Sequence, residues 1–104
     1  MLFEIITGYF VGKYLFTDRN NDAVIWQNIL LIKEQVNDAA IAELESTYRS
    51  IPWNERNELA KNMKTFRESL KSVRKSVSNK KLRKEIDDLM DKCRKIENIC
   101  NRWF

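Results

Sequence analysis

Apolar residues in the second half of the chain recur at alternating steps of four and three along two separate stretches. This spacing places them on one face of an α-helix, so each stretch predicts one amphipathic helix with a continuous apolar seam. The first seam consists of Leu59, Met63, Phe66, Leu70, Val73 and Val77, and the second of Leu82, Ile86, Leu89, Cys93, Ile96, Cys100 and Trp103.

The two seams are separated by a step of five residues, from Val77 to Leu82, which no continuous seam makes. We therefore predict one helix over residues 52–77, a turn within residues 76–81, and a last helix capped by Ser78 or Asn79. A short turn folds two such helices against each other in antiparallel fashion.

Residues 23–50 predict a third long helix, which ends before Pro52 because proline disfavours a helical conformation for the residue before it. Asn21 or Asp22 is a candidate N-cap. The first half of this helix is apolar on more than one side, which indicates a central, buried position. Its seam is Ile25, Ile29, Ile32, Val36, Ala40, Leu44 and Tyr48, and Val24, Leu30 and Leu31 lie beside it.

The low content of turn-forming residues supports the same architecture. The 104 residues include 2 glycines and 1 proline, whereas sheet proteins need many turns. We predict an all-α fold of one domain over residues 1–104, an antiparallel bundle of three long helices with a short apolar N-terminal helix.

The N-terminal run, residues 1–16, is the most apolar part of the chain. It is shorter than the roughly 17–25 residues of a membrane span, and on a helix Glu4 and Lys13 would point to opposite faces. Three roles remain: a helix in the protein's own core, a segment lying in a membrane interface, or a surface for a partner. On a helix Gly8 and Gly12 share a stripe that would lie against another backbone.

The aromatic residues of this run, together with the C-terminus, are the predicted partner-binding surface, with core packing as the alternative. In an antiparallel bundle they could meet Trp26 and Trp53 around one end. The predicted surface consists of Phe3, Gly8, Tyr9, Phe10, Gly12, Tyr14, Phe16 and Trp103.

Charge is distributed unevenly. Residues 1–51 contain four basic and seven acidic residues, a net charge of −3, and residues 52–104 contain fifteen and eight, a net charge of +7. The basic residues predict a patch that contacts phosphates, anionic headgroups or an acidic protein, with a solvated helix face as the alternative. From residue 67 to residue 84 no aromatic residue interleaves with them, which argues against single-stranded nucleic acid. The patch consists of Lys64, Arg67, Lys71, Arg74, Lys75, Lys80, Lys81, Arg83 and Lys84.

The sequence lacks the motifs that usually mark a catalytic site. The chain has no histidine, no glycine-rich phosphate loop and no nucleophile motif, so we predict no catalytic, metal or cofactor site and no small-molecule substrate. The carboxylates between Glu85 and Asp91 are flanked by lysines and predict surface ion pairs rather than a metal site. The flanking lysines are Lys84, Lys92 and Lys95. Cys93 and Cys100 lie about 10 Å apart on one seam, too far for a mutual disulfide, and predict core packing, with an intermolecular disulfide or a redox-active thiol as the alternative.

The sequence thus predicts a non-enzymatic interaction module that binds a protein partner or a second copy of itself. Two alternatives remain, a nucleic-acid-binding protein that uses residues 64–84 and a peripheral protein of anionic membranes. The N-terminus has no basic start and no cleavage pattern of a secretory signal, and two cysteines fit a reducing compartment, so we predict a cytoplasmic location, with membrane association as the alternative.

Overall fold

The computed structural model describes residues 22–102, and this part of the chain is helical without any strand. Four α-helices follow one another, α1 (Asp22–Gln35), α2 (Asp38–Thr47), α3 (Trp53–Ser76) and α4 (Lys80–Cys100), and a 3-10 turn, Tyr48–Ser50, follows α2. The all-helical class is therefore confirmed. The predicted N-terminal helix lies outside the described residues.

The hairpin of α3 and α4 forms as the two seams predict. Val77 is extended and ends α3, and the Asn79 side chain accepts hydrogen bonds from the backbone N–H groups of Lys81 and Leu82. Asn79 is thus the predicted N-cap, and it satisfies two of the donors that a helix start leaves without partners. At the other end of the hairpin, Pro52 immediately precedes α3, so its missing N–H costs no helical hydrogen bond.

Ion pairs between α3 and α4 show that the two helices run in opposite directions. Arg67 binds Glu97, and Arg74, seven residues later on α3, binds Asp87, ten residues earlier on α4. Helix α4 also packs against α1 and α2, so it is the central helix of the described fold.

The pair α1 and α2 runs in the same direction as α4. Lys33 on α1 is bound to Glu85 near the start of α4, whereas Glu45 on α2 is bound to Arg102 just beyond the end of α4. Both ends of α1–α2 are thereby tied to α4.

The prediction of one continuous helix over residues 23–50 is wrong. Helix α1 ends at Gln35, and Asn37 adopts an extended conformation (φ −112°, ψ 174°) in which its side chain accepts a hydrogen bond from Ala40 N. Asparagine competes well for such a cap because its short side chain reaches the backbone of the following turn. The break leaves the apolar face intact, since Val36 and Ile41 on either side of it are both buried.

A single hydrophobic core joins all four helices. The expectation that the first half of this region is buried on several sides is also wrong: Ile25, Ile29 and Ile32 of α1 are buried, whereas Leu30 and Leu31 are exposed by 44% and 60%. Among residues 22–102, α1 packs through one face, because α4 and not α1 is central. Both seams of the hairpin are buried wherever they are described, from Leu59 to Val77 and from Leu82 to Cys100.

Candidate functional site

The predicted basic patch is divided by the structure into two classes of side chain. The arginines at positions 67 and 74 face α4 and bind carboxylates there. Arg67 donates to both oxygens of Glu97 at 2.7 and 3.1 Å, and Arg74 donates to both oxygens of Asp87 at 2.6 and 3.2 Å. The planar guanidinium suits such two-point contacts, so these arginines hold the hairpin together instead of offering charge to a ligand.

Five lysines of the patch remain exposed near the turn between α3 and α4. None of them forms an ion pair with a residue between 22 and 102, and the sequence has no acidic residue from 69 to 84. Arg83 in the same region is half-buried, and Lys64 is exposed but lies twelve residues before the end of α3, about 18 Å from the turn. We refer to the five as the turn lysines: Lys71, Lys75, Lys80, Lys81 and Lys84.

Helix α1 brings an exposed apolar surface to the same region. Its residues 23–32 include no charged side chain, and Leu30 and Leu31 are exposed. Trp26, one turn before Leu30, is only partly buried against the core. An exposed leucine is ordinary by itself, but two adjacent ones on an uncharged helical segment form a surface that water solvates poorly.

The contact between Lys33 and Glu85 sets the level of α1 relative to α4. Glu85 lies five residues after the first residue of α4, whereas Lys33 lies eleven residues after the first residue of α1. Because the two helices run in the same direction, the start of α1 extends about 9 Å beyond the start of α4. Leu30 and Leu31 therefore lie near the level of the first turn of α4, and the first residue of α1 lies beyond the level of the first residue of α4. We call this end of the assembly, with the turn lysines and the first half of α1, the turn end.

The opposite end of the assembly contains a cluster of arginine and aromatic side chains that the sequence did not predict as a unit. The guanidinium carbon of Arg56 lies 5.1 Å from the centre of the Trp53 ring and 5.7 Å from that of Tyr48. Arg102 and Arg49 lie 5.7 and 5.8 Å from the same tyrosine ring. Such cation–π contacts stabilise modestly when exposed and more when buried.

This cluster fastens the chain after α4 to the link between α2 and α3. Arg56 is 1% exposed and donates a hydrogen bond to the Arg102 carbonyl at 3.3 Å, and Arg102 in turn binds Glu45. The hydrogen bond from Arg49 lowers the pKa of the Tyr48 hydroxyl. The sequence signal for this cluster is that Tyr48, Trp53 and two arginines lie within nine residues of one another.

Trp26 and Trp53 lie at opposite ends of the assembly, so the expectation that the aromatics meet around one end is wrong for these two. The chain enters α1 at the turn end and leaves α4 at the other. The predicted partner-binding residues lie outside the described residues, and their role stays a prediction: Phe3, Gly8, Tyr9, Phe10, Gly12, Tyr14, Phe16 and Trp103.

Both cysteines are buried free thiols, as the core-packing interpretation predicts. Burial raises the pKa of Cys93 to about 12 and that of Cys100 to about 11, because an apolar surrounding disfavours the thiolate. Since the thiolate is the reactive form, neither side chain is poised for redox chemistry.

The raised thiol pKa values predict a loss of stability at alkaline pH. Above pH 9 the unfolded chain releases the thiol protons while the folded chain retains them. The free energy of unfolding therefore falls as the pH rises from about 9 to 12. For each thiol, the decrease is at most about 1.4 kcal/mol per pH unit. We expect Cys93→Ala to be less stable at pH 7 but to lose less stability between pH 8 and about 10.5. Urea unfolding under reducing conditions measures both slopes, and equal slopes would contradict the buried-thiol assignment.

The acidic residues of α4 mostly serve helix packing. Glu85 binds Lys33 and Asp87 binds Arg74. Within the described range, no group of three or more cysteine and carboxylate side chains is arranged to hold a metal ion. None of the described helices is long and apolar enough to cross a lipid bilayer.

Comparison with known proteins gives no match at the level of a family model, a curated sequence or a solved structure.

Proposed function

We propose that this protein is a non-enzymatic interaction module that binds its partner through the turn end. One observation carries the proposal: exposed lysines that form no ion pair with a described residue and exposed leucines occur at the same end of the helical bundle. In the finer arrangement that we propose, the chain forms an antiparallel three-helix bundle in which α1 and α2 together count as the first helix. This first helix and α4 run in one direction and α3 runs in the other, and the apolar N-terminal helix joins them at this end.

Two properties of the turn end support binding. The buried seams and the ion pairs of Arg67 and Arg74 hold the helices together. The turn lysines and the two leucines are therefore not needed for the stability of the fold. In addition, the charge of such a surface attracts an oppositely charged partner at long range, and its apolar side chains stabilise the complex when they are buried in the contact.

Site-specific photo-crosslinking in the native cell tests this proposal. A photoreactive phenylalanine derivative is placed at Leu31, and the matched control carries it at Asn98, an exposed α4 position eighteen residues after Lys80. We expect adducts from position 31 and few from position 98. An adduct of twice the protein's mass would identify a second copy as the partner. Equal yields at both positions would overturn the assignment of the turn end.

A further inference from the structure

The turn lysines form a cationic surface whose charge is available to a ligand. Lys71 and Lys75 lie one helical turn apart near the end of α3, and Lys80, Lys81 and Lys84 occupy the first turn or so of α4. No acidic side chain interrupts this part of the sequence. Lysine side chains near an anionic lipid surface each add a similar increment of attraction, which corresponds to about a fivefold gain in binding.

The exposed apolar side chains lie at the same level of the assembly. Leu30 and Leu31 are level with the start of α4, and the whole segment 23–32 is uncharged. A membrane interface accepts this combination, since leucine and tryptophan side chains enter the boundary of the acyl chains while lysines reach the headgroups.

The chain that precedes α1 is attached at this end as well. Residues 1–16 are rich in aromatic and aliphatic residues, and they connect through only five residues to Asp22, the first residue of α1. The sequence therefore attaches the apolar N-terminal run to the end of α1 that lies nearer to the turn lysines. Aromatic residues favour the headgroup level of a bilayer.

We infer that the turn end docks on an anionic membrane surface, with the turn lysines at the lipid phosphates and Leu30 and Leu31 in the interface. This inference rests on the proposed function and names its partner. The cytoplasmic leaflet, which has a negative surface potential, suits the predicted location.

Two other partners fit the turn end less well. A nucleic acid would use the lysines but leave Leu30 and Leu31 without a role, and the exposed aromatic ring of Trp53 lies at the opposite end and faces Arg56. An acidic protein would use both features, but nothing in the lysine cluster favours a protein surface over a lipid one, whereas the apolar N-terminal run favours lipid.

Vesicle co-sedimentation of the full chain is the direct test. We compare vesicles of phosphatidylcholine alone with vesicles that contain about 30% phosphatidylserine, an anionic lipid that gives the surface a negative potential. Binding is expected to the phosphatidylserine vesicles, with a steep decrease between low and high salt because surface charge attraction is screened. Equal binding to both vesicle types, or none to either, would contradict the inference.

Charge-reversal variants locate the binding surface. The triple substitution Lys75→Glu, Lys80→Glu and Lys81→Glu is expected to weaken binding by about 100-fold or more. The control triple Lys61→Glu, Lys64→Glu and Lys95→Glu changes the net charge equally at exposed positions remote from the turn, and it is expected to stay within about threefold of the original chain. An equal loss in both variants would show that only net charge matters and would overturn the inference.

A third variant separates insertion from charge attraction. Leu30→Ser with Leu31→Ser is expected to lower binding about tenfold at constant charge, since each leucine contributes through its buried area. Circular dichroism confirms that each variant folds. If duplex DNA or RNA shifts in a gel while vesicles do not bind, the lipid inference fails and the proposed interaction end stands. If position 31 also gives no adducts above the control, the proposed function fails too.

Discussion

Replacement of Leu89 by alanine is expected to lower the free energy of unfolding by about 4 kcal/mol, the largest single-residue effect that we predict. Leu89 lies in the middle of α4 and is 0% exposed. Because α4 packs against each of the other helices, a cavity at this position removes contacts that no local shift of one helix can restore. Urea unfolding followed by circular dichroism measures the change.

The matched control for this prediction is Leu31→Ala. Leu31 is 60% exposed on α1, so its truncation removes little buried area, and alanine is a slightly better helix former. We expect a change within about 0.5 kcal/mol. A similar loss at both positions would show that Leu31 is buried in solution, either against the N-terminal run or against a second copy.

The hairpin of α3 and α4 could be predicted closely from the sequence because the residues that specify it are near one another along the chain. Each seam repeats at helical spacing on an otherwise charged background, so there is only one face that can be buried. The five-residue step and Asn79 then specify where the chain turns. The structure confirms these features: Val77 ends α3, Asn79 caps α4, and both described seams are buried.

The first helical region was harder to predict because its apolar residues surround the helix. Periodicity identified the buried face, since Ile25, Ile29 and Ile32 are all buried, but it did not show that the leucines beside that face are exposed. The central position of α4, which leaves Leu30 and Leu31 exposed, depends on contacts between helices that are distant in sequence. The break at Asn37 was also missed, since an asparagine in an otherwise regular pattern can either continue a helix or cap the next one.

The division of the basic patch depends on partners that sequence spacing does not reveal. Lys64, Arg67, Lys71 and Arg74 form one stripe on α3 by spacing, yet only the arginines face carboxylates of α4. Residue type offered a partial signal, because arginine is preferred over lysine in partly buried ion pairs. Which carboxylate each arginine binds follows from the antiparallel register of the hairpin.

The substitution Arg67→Ala is expected to destabilise the protein by about 3 kcal/mol. Glu97 is only 9% exposed, and Arg67 donates to both of its oxygens. Removal of the guanidinium leaves a largely buried carboxylate without its cation, and this desolvated charge accounts for most of the cost. Arg67→Lys is expected to restore only part of the stability, because a single ammonium group cannot make the two-point contact. Chemical unfolding at neutral pH measures the free energy of unfolding of Arg67→Ala and Arg67→Lys against that of the original protein.

Two comparisons decide whether burial is the cause of this loss. The Arg74–Asp87 pair has the same two-point geometry, but its side chains are 38% and 47% exposed, so Arg74→Ala is expected to cost less than about 1 kcal/mol. The double substitution Arg67→Met with Glu97→Leu removes both charges and fills the space with apolar atoms, and it is expected to recover most of the stability lost in Arg67→Ala. If the double variant were as unstable as Arg67→Ala, the loss would come from side-chain packing of the arginine, and the charge of Glu97 would not be its cause.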